Sequence, residues 1–326
     1  MLTSLLNISL IALISLIPIV IWAYIFSYID DSSLNKKRFL VGVIGGGLSV
    51  LPILYMDKIV SLINFEYLNT FAFAYRVRDF FSSLEFAFSL ELFLLILVLF
   101  SFVLGVFVHK FNNIMKVYLK NLIVFLVLVF LVSSFTYLLS FFGNSFEFLN
   151  MSINSSIAFG SIVFDSLRLI IFYYLIVAFI EESSKHFNFL QSSVLHIDSI
   201  KTGVLYAIFV ALGFSLIENI LYFYNIYSQL GLGRELVSTY FFRSIFSVMV
   251  HVFCSSVVAY YFSKALLLYR EKDLSFPYLK IFLYGLFLAI AFHLVFDVAL
   301  TLGFSFIIIL YLVGGYLYVG SVFYRE

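Results

Sequence analysis

Long apolar runs constrain the fold of this chain more than any other feature. Its 326 residues are 63% hydrophobic and only 11% charged. A run of about 20 apolar residues crosses the roughly 30 Å hydrocarbon core of a bilayer as one helix. About nine such runs follow one another, at 5–28, 39–56, 90–109, 121–142, 160–186, 203–226, 240–262, 280–300 and 304–323. The sequence therefore predicts an all-α, polytopic transmembrane helix bundle of about eight to ten spans.

The positive charges predict the orientation of this bundle. If the N-terminus lies outside, most of the 19 Lys and Arg residues fall in inner loops, as the positive-inside rule requires. We therefore predict an N-out, C-in topology. The stretch 57–89 mixes aromatic and charged residues, and an interfacial or re-entrant helix is the alternative there. The first run lacks a basic stretch before it and a cleavage site after it, which favours a spanning helix over a signal peptide.

Charge and cysteine content exclude several classes of partner. The formal net charge is +1, so the chain has no basic surface of the kind that binds nucleic acid. The single Cys254 cannot form an internal disulfide or a thiolate metal site. The lipid bilayer is the expected surrounding, and the sequence predicts no oligomeric state.

Ionisable side chains interrupt several of the apolar runs. They are Glu181, Glu182, Glu218, His251, His293 and Asp297. A charge at the bilayer centre costs about 3 kcal/mol, so such residues usually face one another and carry function. Counted along the helices, Glu181 and His251 lie roughly 20 and 16 Å below the outer interface, and Glu218 and His293 roughly 10 Å below it. We therefore predict one shared site in the middle or outer half of the membrane, in a cavity that opens outward.

The residues around these side chains form four motifs. In chain order they are Glu181-Glu182-Ser183-Ser184-Lys185, Phe214-Ser215-Leu216-Ile217-Glu218-Asn219, Arg243 with the later His251, and His293-Leu294-Val295-Phe296-Asp297. This order resembles the PrsW family of intramembrane proteases, whose patterns are EExxK, FxxxEN, an Arg with a later His, and Hxxx followed by Asn or Asp. That family is similar to type II CAAX prenyl endopeptidases and bacteriocin-processing proteins. The pair Glu218-Asn219 favours the PrsW branch.

The resemblance covers about residues 160–300 and implies a division of the chain. Residues 1–157 would be N-terminal transmembrane helices of unknown role, 158–302 a PrsW-like catalytic core, and 303–326 a final helix with a short tail. The implied activity is that of a site-1 protease of the bacterial cytoplasmic membrane. Its implied substrate is a single-span membrane protein, such as an anti-sigma factor, that is cut near the outer leaflet.

The Glu pair suggests how water is activated. Neighbouring residues on a helix point about 100° apart, so only one of the two carboxylates faces the site directly. Glu181 and Lys185 have the favourable i,i+4 order for an ion pair, which would leave Glu182 as the general base. The reverse assignment of the two Glu residues stays open. Supporting roles are predicted for Lys185, Asn219, Arg243 and Phe214.

Two mechanisms fit these residues. In the first, Glu218, His251 and His293 hold a zinc ion and Glu182 takes a proton from its water. In the second, Glu181 and Glu182 activate water without a metal, while His251, His293 and Asp297 stabilise the oxyanion. The chain has no HExxH helix and the Glu pair is not itself a metal motif. We favour the metal-free mechanism and expect no cofactor, with zinc as the alternative.

Two other classes of function remain open at this point. Intramembrane Glu, His and Asp residues also build proton pathways in transporters. The chain shows no duplicated halves, which weakens this alternative. A non-catalytic scaffold on the same fold is the other alternative, and the four intact motifs argue against it.

Overall fold

The computed structural model describes residues 2–29, 36–55, 152–159, 162–272 and 275–324. It separates into two compact units. The larger comprises Met1–Ile53 and Ala178–Glu326, and the smaller comprises Leu54–Val177. The sequence-based division at residues 157 and 302 follows the motifs and stays a prediction.

Helices make up most of the described chain. In chain order they are α1 (Leu2–Ile29), α2 (Lys36–Leu48), α3 (Leu167–Ser193), α4 (Ile200–Leu230), α5 (Arg234–Phe242), α6 (Val248–Lys272), α7 (Ser275–Thr301) and α8 (Ile307–Tyr324). Short 3-10 turns follow α2 and α3, at Ile53–Tyr55 and Val194–His196. A π-helical turn, Arg243–Ser247, joins α5 to α6.

Five described segments are long and apolar enough to cross a membrane. They are Asn7–Tyr28, Ile200–Leu230, Arg234–Glu271, Tyr278–Thr301 and Ile307–Tyr324. Each matches a predicted span, so the prediction of a helical integral membrane protein is confirmed. The total of nine spans and the orientation stay predictions.

Of the remaining four predicted spans, two overlap described helices and two lie outside the described residues. The run 39–56 coincides with α2, whose 13 residues extend only about 20 Å, followed by a turn. The run 160–186 begins in a strand and continues in α3, whose charged residues set it apart from the five apolar segments. The runs 90–109 and 121–142 and the alternative helix in 57–89 lie outside the described residues.

A two-stranded hairpin in the smaller unit adds strands to the predicted all-helical class. Strands β1 (Ser152–Phe159) and β2 (Ile162–Ser166) pair antiparallel, and Phe159 lies opposite Ile162. The segment from Ile162 to Phe164 consists of β-branched and aromatic residues, which fit a strand better than a helix. Helix α3 follows β2 directly.

Helix α4 is the centre of the larger unit. It packs against α1, α2 and α6, and α6 in turn packs against α7 and α8. Small residues allow α2 and α4 to approach closely, because a Cβ atom on Gly46 would overlap the Val210 carbonyl and one on Gly213 would overlap the Val43 backbone. Helix α3 is tied to the segment after α2 by a 2.7 Å hydrogen bond from Ser184 Oγ to the Ser49 carbonyl.

The two ends of α4 define how far along the helix Glu218 lies. Ser199 caps the helix, since its side chain accepts a hydrogen bond from the Thr202 N–H. Gly231 ends the helix with φ of 71°, a conformation that glycine adopts without steric cost. Glu218 therefore lies about 27 Å from the start of α4 and about 18 Å from its end.

Candidate active site

The ionisable residues of the four motifs meet inside the larger unit. Helix α3 contributes Glu181, Glu182 and Lys185. Helices α4, α6 and α7 and the π turn contribute Glu218, Asn219, Arg243, His251, His293 and Asp297. The contacts described below join all of these residues, so the structure brings the predicted set together. Its catalytic role stays a prediction.

Glu182 is the most buried carboxylate of the cluster, with a side-chain exposure of 0%. Its Oε1 lies 2.6 Å from Lys185 Nζ and 2.7 Å from His293 Nδ1. The predicted ion pair between Glu181 and Lys185 is therefore wrong, because Lys185 pairs with Glu182 at i,i+3. Glu182 is not a free base. It holds the ring of His293 in place.

Glu218 makes the equivalent contact with the second imidazole. Its Oε2 lies 2.8 Å from His251 Nε2 and 2.8 Å from a terminal guanidinium nitrogen of Arg243. Arg243 Nε also donates to Asn219 Oδ1 at 2.9 Å. Each histidine thus has one ring nitrogen on a carboxylate, and each of these carboxylates is paired with a cation.

The other ring nitrogens point toward Glu181. Glu181 Oε2 lies 3.5 Å from His293 Nε2 and 3.9 Å from His251 Nδ1. This oxygen is buried and has no hydrogen-bond partner among the described residues. Lys185 Nζ lies 3.3 Å from His251 Nδ1, on the same side of that ring. Glu181, rather than Glu182, is therefore the carboxylate at the centre of the cluster.

The hydrogen bonds determine where the ring protons lie. An ionised carboxylate can only accept, so Nδ1 of His293 and Nε2 of His251 carry the protons in these contacts. In the neutral rings the remaining nitrogens carry lone pairs, and that of His251 Nδ1 faces the Lys185 ammonium, which can donate to it. These two nitrogens and an oxygen of Glu181 lie within 4.8 Å of one another.

This donor set fits a divalent metal ion such as zinc. Catalytic zinc commonly has three protein ligands from His and Glu. Metal-bound histidines usually donate their second N–H to a carboxylate, as both rings do here. The buried oxygen of Glu181, which has no hydrogen-bond partner among the described residues, could serve as a third ligand atom. The predicted set with Glu218 stays a prediction, but Glu218 contacts the nitrogen of His251 that faces away from this point, and the carboxylate oxygen that lies near the other two ring nitrogens is that of Glu181.

A second group of metal-ligating atoms overlaps the first. Glu182, Cys254 and His293 also lie within 4.8 Å of one another, and Cys254 is fully buried. Glu182 is already neutralised by Lys185 in this group. The Glu181 set fits a cation better, because its carboxylate has no such ion pair. A single cysteine in an apolar run gave no sequence signal for this position.

The cluster is most exposed on the side of Asp297. The exposed fractions of the Asp297, Glu218 and Arg243 side chains are 20%, 14% and 13%, whereas that of Glu181 is 5%. Asp297 Oδ2 lies 3.5 Å from His293 Nε2. Glu182 contacts the other ring nitrogen of His293, Nδ1. Asp297 instead faces the same nitrogen as Glu181.

Aromatic rings support the charged groups. Phe214 is fully buried, 4.7 Å below the Lys185 ammonium and 5.0 Å from the His251 ring. This contact is consistent with the supporting role predicted for Phe214. Tyr222 lies one turn after Glu218, and its ring is 3.7 Å from the Arg243 guanidinium carbon. Its position at i+4 from an intramembrane Glu was the available signal for this residue.

The π turn brings Arg243 and His251 onto one face. Eight residues along a regular α-helix rotate a side chain by about 80° from the starting direction. A π turn contains one more residue than an α turn, which reduces the offset to about 20°. Both side chains can then contact Glu218 Oε2. Nothing in the sequence of this segment indicated a π turn.

Comparisons with known proteins identify the family. The sequence model described as "PrsW family intramembrane metalloprotease" matches residues 97–324, more than half of the chain. No curated protein matches the chain, and no solved structure does. The match includes all four motifs and every residue of the cluster. The chain therefore belongs to the PrsW family of intramembrane proteases.

Proposed function

We propose that this protein is a metal-dependent intramembrane endopeptidase that hydrolyses a peptide bond of a membrane-anchored protein. One observation carries the metal assignment. Glu181 Oε2, His251 Nδ1 and His293 Nε2 converge on one point, and each ring is held from behind by a carboxylate. This arrangement supports a metal centre over the metal-free mechanism that the sequence favoured.

Three protein ligands would leave a coordination position for water. An ion bound by Glu181, His251 and His293 would lower the pKa of that water and polarise the carbonyl group of the substrate. Glu182 and Glu218 would keep both rings in the tautomer that presents a lone pair to the ion. Lys185 and Arg243 would keep these two carboxylates ionised and in place.

Asp297 is the proposed proton acceptor. It is the most exposed carboxylate of the cluster and faces the nitrogen of His293 that also faces Glu181. From this position it would take a proton from the attacking water and return it to the leaving amine. Asp297→Asn should therefore retain the metal and lose activity by about 100-fold or more.

The level of the cluster supports cleavage near one membrane face. His293 lies about 12 Å from the end of α7 and about 27 Å from its start, and Glu218 lies similarly nearer the end of α4. With the proposed N-out, C-in orientation, these ends are on the outer side of the bacterial cytoplasmic membrane. A single-span substrate, such as an anti-sigma factor, would enter from the lipid and unwind locally, because helical amides are hydrogen-bonded and shielded.

Metal analysis of the purified protein tests the proposal. We expect about one zinc ion per chain, lost in Glu181→Ala, His251→Ala and His293→Ala. His196→Ala is the matched control, because His196 is exposed and should retain zinc. A metal-free preparation that cleaves substrate and is insensitive to chelators would establish the Glu-based mechanism instead.

Substrates can be identified in cells at matched expression. Quantitative proteomics of membrane-protein N-termini should detect new termini with the wild type and lose them with Glu181→Gln. The full-length precursors should accumulate in the variant. If the two strains do not differ under several envelope stresses, the protein is not acting as a protease under those conditions, and a transporter or scaffold becomes the better explanation.

A further inference from the structure

Helix α1 contacts the π turn that positions Arg243. The indole Nε1 of Trp22 donates a 2.9 Å hydrogen bond to the Ser244 carbonyl. In a regular α-helix that carbonyl would accept from the Val248 N–H. Here the Val248 N–H donates to Arg243 and Ile245 instead. Trp22 therefore supplies the donor that the π turn withdraws from Ser244.

A second contact satisfies a carbonyl that α1 itself leaves open. Pro18 lies inside α1 and has no N–H, so the Ile14 carbonyl lacks its usual partner four residues later. The hydroxyl of Tyr240, at the end of α5, donates to that carbonyl at 3.2 Å. The proline in α1 and the π turn before α6 thus each leave a backbone carbonyl open, and each carbonyl accepts from a side chain of the facing segment.

These contacts lie next to the part of the cluster that Arg243, Glu218 and His251 form. Ser244 follows Arg243, whose guanidinium contacts both Glu218 and Asn219. Glu218 in turn holds His251 Nε2. A carbonyl without a donor is costly inside a membrane. The indole hydrogen bond satisfies the Ser244 carbonyl in the π turn and therefore favours this turn over a regular helical turn. Helix α1 lies before the segment that the family model matches, residues 97–324.

We propose that α1 is part of the active-site framework and that Trp22 is a positioning residue. Its bond to Ser244 holds the π turn, which keeps Arg243 and His251 together on Glu218. The catalytic part of this proposal rests on the proposed protease function. The structural part does not, because it concerns only the hydrogen bond of Trp22 and the conformation of residues 243–247.

The structural part is tested through the indole group. Trp22 is the only tryptophan of the chain, so a sample labelled with ¹⁵N at the indole gives one resonance for the Trp22 N–H. We expect slow hydrogen exchange of this proton in nanodiscs. Deleting Ile245 would convert the π turn to a regular turn, in which a backbone N–H takes the Ser244 carbonyl. The indole proton should then exchange faster, and unchanged exchange would overturn the proposal.

The catalytic part is tested by the kinetics of Trp22→Phe. Phenylalanine retains an aromatic ring against Phe26 and removes the N–H donor together with the second ring of the indole. We expect kcat to fall roughly tenfold, with KM and Tm nearly unchanged, because the loss acts through the position of Arg243. The control is Tyr24→Phe, which removes a polar group from an exposed ring of the same helix and should leave kcat unchanged.

A double variant distinguishes positioning from packing. After deletion of Ile245, Arg243 and His251 are seven residues apart in a regular helix, which again leaves them about 20° apart. Trp22→Phe should therefore change kcat by less than about twofold in the deletion background. The same roughly tenfold loss in both backgrounds would show that Trp22 acts through packing, and no loss in the wild-type background would also overturn the proposal.

The two proposals fail in different ways. If no cleavage is found but the indole proton is protected and released by the deletion, the protease function fails and the contact stands. If substrate is cleaved while the indole proton exchanges freely, the contact fails alone.

Discussion

The cluster has two halves that follow the same plan and differ in burial and origin. In the inner half, Lys185 pairs with Glu182, which holds His293. In the outer half, Arg243 pairs with Glu218, which holds His251. The inner carboxylate has a side-chain exposure of 0% and the outer one 14%.

The inner ion pair is local, because both partners lie on α3 three residues apart. The outer pair joins two separate segments and depends on a π turn. One helix thus supplies the ion pair of the inner half, and only its histidine comes from another helix, whereas even the ion pair of the outer half requires tertiary packing. We therefore expect the inner half to govern stability and the outer half to govern activity.

The largest effect on stability is expected for Lys185→Met. The substitution leaves the Glu182 charge buried without its cation, which costs about 3–5 kcal/mol in comparable cases. Thermal unfolding in detergent measures this loss. The control is Lys264→Met on α6, since Lys264 is exposed. Equal unfolding temperatures for the two variants would contradict the assignment of Lys185 to a buried pair.

Arg243→Met should destabilise the protein less. Its pair with Glu218 is partly exposed, so we expect about 1–3 kcal/mol, the range for a hydrogen bond to a charged group. Activity should fall more than this loss of stability explains, because His251 loses its fixed position. A larger loss of stability for Arg243→Met than for Lys185→Met would contradict the assignment of stability to the inner half.

Glu218→Gln tests the outer half through metal affinity. Glutamine can still accept from His251 Nε2, but without charge, and changes of this kind cost about 10–100-fold in metal affinity. Competition with a zinc chelator gives the dissociation constant of the folded protein. Complete loss of zinc in Glu218→Gln would indicate that Glu218 is itself a ligand, as the sequence had suggested.

The smallest effect is expected for Cys254→Ala. Cys254 is fully buried next to Glu182 and His293, but the proposed centre does not use its sulfur. The alanine removes one buried atom and adds no polar group, so we expect a loss of about 0.5–1.5 kcal/mol in stability, as for deletion of a buried methyl group, and wild-type zinc content. Loss of zinc in this variant would move the metal to the group formed by Glu182, Cys254 and His293.

The incorrect ion pair in the sequence-based site comes from an assumption about α3. The i,i+4 rule favoured Glu181 for Lys185, but that rule describes isolated helices. In the folded protein Lys185 reaches Glu182, because Glu182 also accepts from His293 on another helix. This exchange leaves Glu181, rather than Glu182, as the carboxylate without a cation beside it, which is why we propose the reverse assignment of the two Glu residues. The arrangement of neighbouring helices decides which groups pair with a buried charge. This arrangement cannot be read from a local sequence pattern.

The sequence by itself determined the membrane-spanning helical class, the family and the residues that meet in the cluster. These follow from composition and spacing, because apolar length decides what spans a bilayer and charges in lipid must find one another. Tertiary structure alone decided which carboxylate faces the centre, that a π turn aligns Arg243 with His251, and that Trp22 contacts this turn. Such choices depend on distances of a few ångströms between helices that are far apart in the chain, and no local pattern encodes them.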